Sequence, residues 1–274
     1  MQPNGLITLL TDFGWQDGYV AAMKGVILSA APAARLVDAA HDVQPQDIVG
    51  AGWALAQYWA CYPAGTIHLA VVDPGVGTDR AALLAEADGQ WFLAPDNGLL
   101  DFVAAAAAQY AVRRLRPGWH RPAGCAATFH GRDIFAYAAG RLVAGDDPAA
   151  FTDSLAAASP AALPAPRPSG HGLAGRIIHC DRFGNLITNI AAATAAEAVP
   201  RPWHVLVAGY VFEQVRRTYA DVAPGEKLAL FGSSGLLELA INQGSARERL
   251  RLDRGAPVQL RTKSGGSGHE TDPD

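Results

Sequence analysis

The groups best suited to chemistry in this chain stand where short apolar runs stop. Ile67 to Val72 is such a run, and it ends at a carboxylate, Asp73, followed at once by Pro74, Gly75 and Gly77. Arg80 then returns a fixed positive charge seven residues after the acid. Pro74 has no N–H for a ladder, and glycines permit positive φ and close approach of a ligand. Ligands of open α/β sheets bind outside the carboxyl ends of the strands, so an acid placed there is a site candidate. Two further runs end in acids, at Asp12 and Asp38, and His130 lies in Thr128-Phe129-His130-Gly131-Arg132-Asp133 ahead of a helix with Ile134 and Phe135. Farther on, Asp181-Arg182-Phe183-Gly184-Asn185 joins two β-rich runs, and Gly232-Ser233-Ser234-Gly235 reads as a tight polar turn. Singly these signals are weak. A strand-end aspartate often caps its own turn, and a lone histidine before a helix is more often structural than catalytic. Asp12, Asp73 and His130 can be read as metal ligands, yet no H-x-H or H-E-x-x-H spacing accompanies them. Asp12-Phe13-Gly14 matches the kinase magnesium motif, but neither an H-R-D loop nor a strand lysine supports it.

Positioning these groups requires strands and helices in alternation. Ile7–Leu10 reads as a first strand, followed by a helix capped near Asp17 with Val20, Met23 and Ile27 on one face. Arg35–Val37 is a second strand ending at Asp38, and Asp47 to Trp59 is a second helix. The run ending at Asp73 is the third strand, Trp91–Ala94 the fourth, with an Ala-rich helix through Phe102 after it. That alternation argues for a mainly parallel sheet flanked by helices. Pro160 to Gly172 is rich in Pro and Gly and marks a boundary. Beyond it, Gly175–Ile178, Leu186–Ile190, His204–Val207, Lys227–Leu230, Leu236–Ile241 and Pro257–Arg261 are short β-rich runs with little helical periodicity. The expected organisation is an α/β domain over 1–160, a linker over 161–172 and a smaller all-β barrel or sandwich over 173–263. A disordered polar tail over 264–274 follows.

Bulk properties narrow the class. A chain of 274 residues, half of them hydrophobic and 18% charged, can bury a sizeable core and is globular. A formal charge of −4 argues against a phosphate-dominated nucleic-acid binder. No apolar run approaches the roughly 20 residues that span a bilayer, and no signal-peptide pattern opens the chain, so a cytoplasmic protein without a membrane partner is expected. Cys61, Cys125 and Cys180 are scattered and odd in number, fitting neither a disulfide framework nor a zinc site. All three are expected to be small buried hydrophobes.

Together the segments resemble a known family. T-D-F-G near the start, V-D-P-G-V-G-T-x-R, A-P-D-N-G-L-L, T-F-H-G-R-D-I-F, D-R-F-G-N-L-I-T-N and Y-A-D-V-A-P-G-E leading to G-S-S-G-L-L-E-L-A-I-N-Q-G-S-A look like the S-adenosylmethionine hydroxide adenosyltransferases. These are relatives of the fluorinating and chlorinating enzymes. The resemblance spans Ile7 to Arg261 with its motifs in order. It implies a homotrimer of two-domain subunits, the substrate bound between the N-domain of one subunit and the C-domain of its neighbour. The implied reaction is S-adenosylmethionine plus water giving adenosine and L-methionine, with no cofactor and no metal. The family's water-activating triad maps onto Asp73, Arg80 and His130. Asp12 matches the acid that holds the ribose diol, and Asp181 the grip on the methionine ammonium. Phe183 and Asn185 fall at contacts to the adenine and the amino-acid end, Ser233 at the carboxylate, and Tyr219 against the base. The backbone of Ile241 and Gln243 matches the readers of the adenine edge.

Departures bear on the rival readings. In the halogenating relatives tyrosines take the places of Asp73 and His130, and a small hydroxyl donor stands where this chain has Gly131. They also carry Trp at Gln46 and Arg at Ser234 and Ile241. A halide-using transferase on the same fold is therefore disfavoured. A non-catalytic nucleoside binder and a metal-dependent hydrolase are the alternatives from other classes.

Overall fold

The computed structural model describes residues 1–155, 165–170 and 172–263. The chain falls into two units, Met1–Ala162 and Leu163–Asp274. Among the described residues no helix is long and apolar enough to cross a membrane. The tail from Ser264 and residues 160–164 and 171 of the Pro-rich stretch lie outside the described residues.

The first unit runs β1 (Leu6–Thr11), α1 (Tyr19–Ala30), β2 (Arg35–Ala40), α2 (Ile48–Tyr58), β3 (Ile67–Val71), β4 (Ala82–Ala87), β5 (Gln90–Pro95), α3 (Asp101–Ala106) and β6 (Tyr110–Leu115), then a π-helical turn (Gly131–Ala136), α4 (Tyr137–Val143) and β7 (Thr152–Ser154). Its sheet has the order β2-β1-β3-β5-β4-β6-β7. β2, β1, β3 and β5 are mutually parallel, as alternating strands and helices require. β4, β6 and β7 extend the sheet antiparallel, an extension the expected alternation does not contain. β4 and β5 are joined by Asp88-Gly89, with φ of 44° and 80°, the positive pair a two-residue hairpin turn demands. That Asp-Gly was the legible signal for the missing strand.

Both faces of the sheet are covered. Ile67, Leu69 and Val71 pack with Met23 and Ile27 of α1 and with Phe135 and Leu142. Ala70 and Val72, on the opposite side, pack with Ala51 and Leu55 of α2 and Val103 of α3. Every residue of β3 is buried, including His68, which the apolar reading of that run passed over. His68 Nε2 donates to Gln90 Oε1 at 2.6 Å, and its Nδ1 takes the Thr8 hydroxyl at 2.8 Å. Burial lowers its pKa to about 4, so it is a neutral core histidine.

The second unit runs β8 (Arg167–Ser169), β9 (Gly172–Cys180), β10 (Leu186–Ala191), α5 (Ala192–Ala198), β11 (Trp203–Val207), β12 (Tyr210–Phe212), β13 (Val215–Arg216), β14 (Lys227–Phe231), β15 (Leu236–Ile241), α6 (Ala246–Leu250) and β16 (Pro257–Thr262). The strands form one curled sheet, β12-β11-β16-β9-β10-β15-β14-β13, with β8 added beside β9. Leu173, Ile177, Leu186, Val205, Leu239 and Leu260 fill its interior. β8 lies inside the Pro-rich stretch that marks the boundary in the sequence, as a three-residue edge piece beside β9. The six β-rich runs read from the sequence all form strands; the two short helices were missed because five to seven residues carry too little periodicity.

Three expectations change. α1 begins after Gly18 with no side-chain cap, so Asp17 does not cap it. β2 continues to Ala40, which places Asp38 inside an edge strand rather than at its end; it pairs there with Lys24 at 2.6 Å and His41 Nε2 at 2.9 Å. Cys61 and Cys125 are exposed and Cys180 is half-buried, because they sit at a helix end, in a loop and at a strand end instead of in the core.

Candidate active site

Asp73 and Arg80 meet because of how β4 enters the sheet. β5 is parallel to β3, and β4 is antiparallel to β5, so β4 starts at the edge where the parallel strands finish. Arg80, just before that start, is thereby returned to the carboxyl end of β3. The connection is two tight turns, Val76 N–H to Asp73 O at 3.2 Å and Thr78 N–H to Gly75 O at 3.1 Å. Gly77 has φ of 82°, and a Cβ there would stand 2.7 Å from Ala127 O, so the turn tolerates little else. Asn97, from the loop after β5, donates to Val72 O at 2.9 Å and satisfies the last carbonyl before Asp73.

The three residues form one hydrogen-bonded chain. Arg80 Nε donates to both Asp73 oxygens, at 2.9 and 3.0 Å, and its Nη2 donates to Oδ2 as well. Nη2 also donates to His130 Nδ1 at 3.0 Å, and Nη1 to Ala81 O at 3.2 Å. The guanidinium carbon lies 5.3 Å from the centre of the Phe135 ring. The side chains of Asp73 and Arg80 are only 5% and 10% exposed. An arginine has no acceptor, so His130 Nδ1 must offer a lone pair. The imidazole is therefore neutral, with its proton on Nε2. Burial, then the charge of Arg80, pushes its proton affinity below the usual histidine range, against the opposing pull of Asp73. A guanidinium thus occupies the place between acid and imidazole that a metal reading would give to a cation. Among the described residues no group of three or more His, Cys, Asp or Glu has metal-holding geometry.

His130 is held by its own neighbourhood. It precedes the π-helical turn Gly131–Ala136, in which Asp133 is fully buried. Arg132 and Arg121 both pair with Asp133, and Ala126 N–H donates to it at 2.7 Å. Burial opposes ionisation of this carboxyl, but those donors prevail and lower its pKa to about 2. The clamp ties the Arg121–Ala126 loop to the turn that carries His130. A cavity of about 530 Å³ opens onto Arg80 and His130, walled by Leu115, Pro117, Trp119 and Ile134. That volume is in the range of small-ligand sites.

Asp12 leaves β1 at the same sheet edge, since Thr11 pairs with Val71. One of its oxygens accepts from Gln46 N–H at 2.8 Å, and Gln46 itself has φ of 66°. In the second unit Asp181 folds back on its own turn: Oδ1 accepts from Phe183 N–H and Asn185 N–H at 2.9 and 2.8 Å, and Oδ2 from Asn185 Nδ2 at 2.9 Å. Asn185 is buried, while the Phe183 ring is 77% exposed. Ser233 and Gln243 are exposed in turns, and Gln243 has φ of 56°. The Ile241 side chain is in the core and its carbonyl already accepts from Gly244 N–H at 3.1 Å, which leaves backbone alone for any ligand. Tyr219 is partly exposed and donates through its hydroxyl to Glu238. Glu238, Asn97, Asp133 and Phe135 were missed as site supports. Each lies in a quoted motif, but apart from Arg132 beside Asp133 their partners come from other parts of the chain, and only the folded chain brings them together.

Comparison with known proteins places these features in context. Residues 7–152 match the SAM hydroxide adenosyltransferase N-terminal domain and residues 175–259 the SAM hydroxide adenosyltransferase C-terminal domain. An (R)-S-adenosyl-L-methionine hydrolase from Thermus thermophilus is 40% identical over 93% of this chain and 98% of its own. A fluorinase from an Actinoplanes species is 26% identical over 94% of this chain and 97% of its own. The crystal structure of an uncharacterized conserved protein from Thermotoga maritima superposes with a TM-score of 0.83 at 32% identity, covering 93% of this chain and 99% of that one.

Proposed function

This chain belongs to the SAM hydroxide adenosyltransferase family, and from that premise we propose that it is a hydrolase that splits S-adenosyl-L-methionine into adenosine and L-methionine. The observation carrying this reading is the Asp73–Arg80–His130 chain of hydrogen bonds beside the cavity.

The substrate is a sulfonium, so its sulfur leaves as a neutral thioether and needs no acid. What the reaction lacks near neutral pH is a nucleophile. Water attacks ribose C5′ in line with the sulfur; the new C5′–O bond forms as the C5′–S pair withdraws onto sulfur. One proton of the water must go elsewhere. His130 presents Nε2–H because Nδ1 is engaged by Arg80, so it orients the water and does not take the proton. Asp73 is the acceptor, passing the proton to solvent. Charge is annihilated between an incipient hydroxide and a sulfonium, which a dry site favours. Asp12 suits the 2′,3′-diol, since one carboxylate can accept from two hydroxyls.

The prefix in the Thermus relative's name adds a restriction. The L descriptor already fixes the α-carbon, so R describes the sulfonium sulfur. Inversion at sulfur exchanges the directions of methyl and amino-acid chain, so a site that lines C5′–S up with the water and also holds the amino acid distinguishes the two epimers. Incubation with each separated sulfonium epimer, followed by chromatography, tests the reading: enzyme-dependent adenosine and methionine, faster from the R epimer, are expected. A bound but unconverted substrate would leave only a binding protein.

Turnover falls as the medium is acidified, because protonating His130 destroys the acceptor for Arg80 and sets two cations side by side. Since its proton affinity is lowered, the midpoint of that acid limb lies below 6.5. A kcat/KM profile flat through this region would remove His130 from the machinery.

The halide-using alternative meets a packing objection. A Cβ at Gly131 would stand 3.3 Å from the Phe13 ring and 3.4 Å from the Met23 sulfur, so a hydroxyl-bearing side chain there is crowded. For the assembly, the family resemblance supports a homotrimer in which the second unit of one copy completes the site on the first unit of another. The exposed Phe183 and Tyr219 rings of the second unit suit such a role.

A further inference from the structure

Glu238 lies in β15 between Leu237 and Leu239, whose side chains fill the interior of the second unit. Alternation turns Glu238 to the opposite side of the sheet. That side is covered: Leu228, Leu230 and Ala240 form a small apolar cluster there, with Val222 packed on it. The residue ends up only 8% exposed. Burial keeps its proton affinity high, and the charge of Asp181 acts in the same direction. Its hydrogen-bond donor is the Tyr219 hydroxyl, from the Tyr219–Asp221 turn. The other oxygen packs on the polar turn before β15, where a Cβ at Gly232 would stand 2.6 Å away. One carboxylate therefore touches both the aromatic ring assigned to the nucleoside base and the turn that carries Ser233.

We propose that Glu238 is a positioning residue for substrate recognition: it anchors the Tyr219 hydroxyl, so that the partly exposed ring is presented in one orientation to the nucleoside, and braces the Gly232–Ser233 turn beside it. This rests on the hydrolase reading for the identity of the ligand. A lysine or arginine would tie down the carboxylate equally well, but a phenol is the donor that leaves an aromatic face free. The strand context L-L-E-L-A-I otherwise calls for an apolar or exposed polar residue, and a buried carboxylate there needs such a reason.

The test uses adenosine affinity by calorimetry together with KM and kcat on the full chain. Glu238→Ala and Tyr219→Phe should each weaken adenosine and raise KM about tenfold, the factor that about 1.4 kcal/mol of lost ordering carries. The loss in kcat/KM should come through KM. The double variant should be no worse than either single one, since both cut the same bond. Glu238→Gln, whose amide oxygen still accepts from the hydroxyl, should recover most of the affinity. Tyr219→Phe keeps the ring and backbone, so the idea stays testable if Glu238→Ala does not fold. Unchanged adenosine affinity and KM in Tyr219→Phe, or additive losses in the double variant, would overturn the assignment. Wild-type protein that binds adenosine but does not hydrolyse the sulfonium would sink the hydrolase reading alone; absence of both overturns the two together.

Discussion

Replacing Asp73 by Asn lowers kcat by roughly 10²–10⁴-fold, the usual worth of a positioned general base, while substrate affinity changes little. Asparagine keeps the shape of the side chain, and its amide oxygen still accepts from Arg80, but it cannot take a proton from water. Alanine is the blunter choice. Asp73 and Arg80 are a nearly buried pair, and removing one partner outright costs about 3–5 kcal/mol through the charge left behind. Arg80→Lys should act in the same direction: Arg80 reaches Asp73, His130 and Ala81 O at once through its fork, and an ammonium cannot span that set. The measurements are adenosine release under saturating substrate, ligand affinity by calorimetry, and the melting temperature. Should affinity and turnover fall together in Asp73→Asn, or kcat stay within tenfold of wild type, Asp73 would be part of the scaffold and not the proton acceptor.

Two inactive variants should restore each other if the site is shared between copies. One variant carries Asp73→Ala in the first unit; the other carries Asp181→Asn and Phe183→Ala in the second. Random assembly of equal amounts puts both kinds into about three quarters of cyclic trimers, and each mixed trimer has one site in three with both halves intact, so roughly a quarter of wild-type activity returns. A site built within a single chain predicts no recovery at any mixing ratio. Co-expression with two affinity tags would isolate mixed assemblies directly, and sedimentation would give their mass.

Much of the architecture was written in local patterns. Apolar runs of strand length alternating with periodic stretches specify a layered α/β unit, and the later density of short β-rich runs specifies a β unit. What the patterns did not convey was the antiparallel half of the first sheet. Ala82–Ala87 is a plain apolar strand, but its place next to β5 depends on a two-residue turn, and its direction decides which end of the sheet Arg80 occupies. Conversely, the early end placed on β2 promoted Asp38 to a site candidate, when its partners are Lys24 and His41 on an edge strand.

The order of residues by itself determined which groups exist to do chemistry and that they share a family's spacing: the acid after β3, the arginine seven residues on, the histidine before a helix. Local interactions suffice for that, because turns and strand ends follow from Pro, Gly and apolar periodicity. The tertiary structure alone decided which of them meet. Only when β4 runs antiparallel does Arg80 come back to Asp73, and only then can an Nη2 N–H fix the His130 proton on Nε2. The direction of a hydrogen bond between residues fifty positions apart has no local signature; it is set by the sheet that brings the donor and the lone pair together.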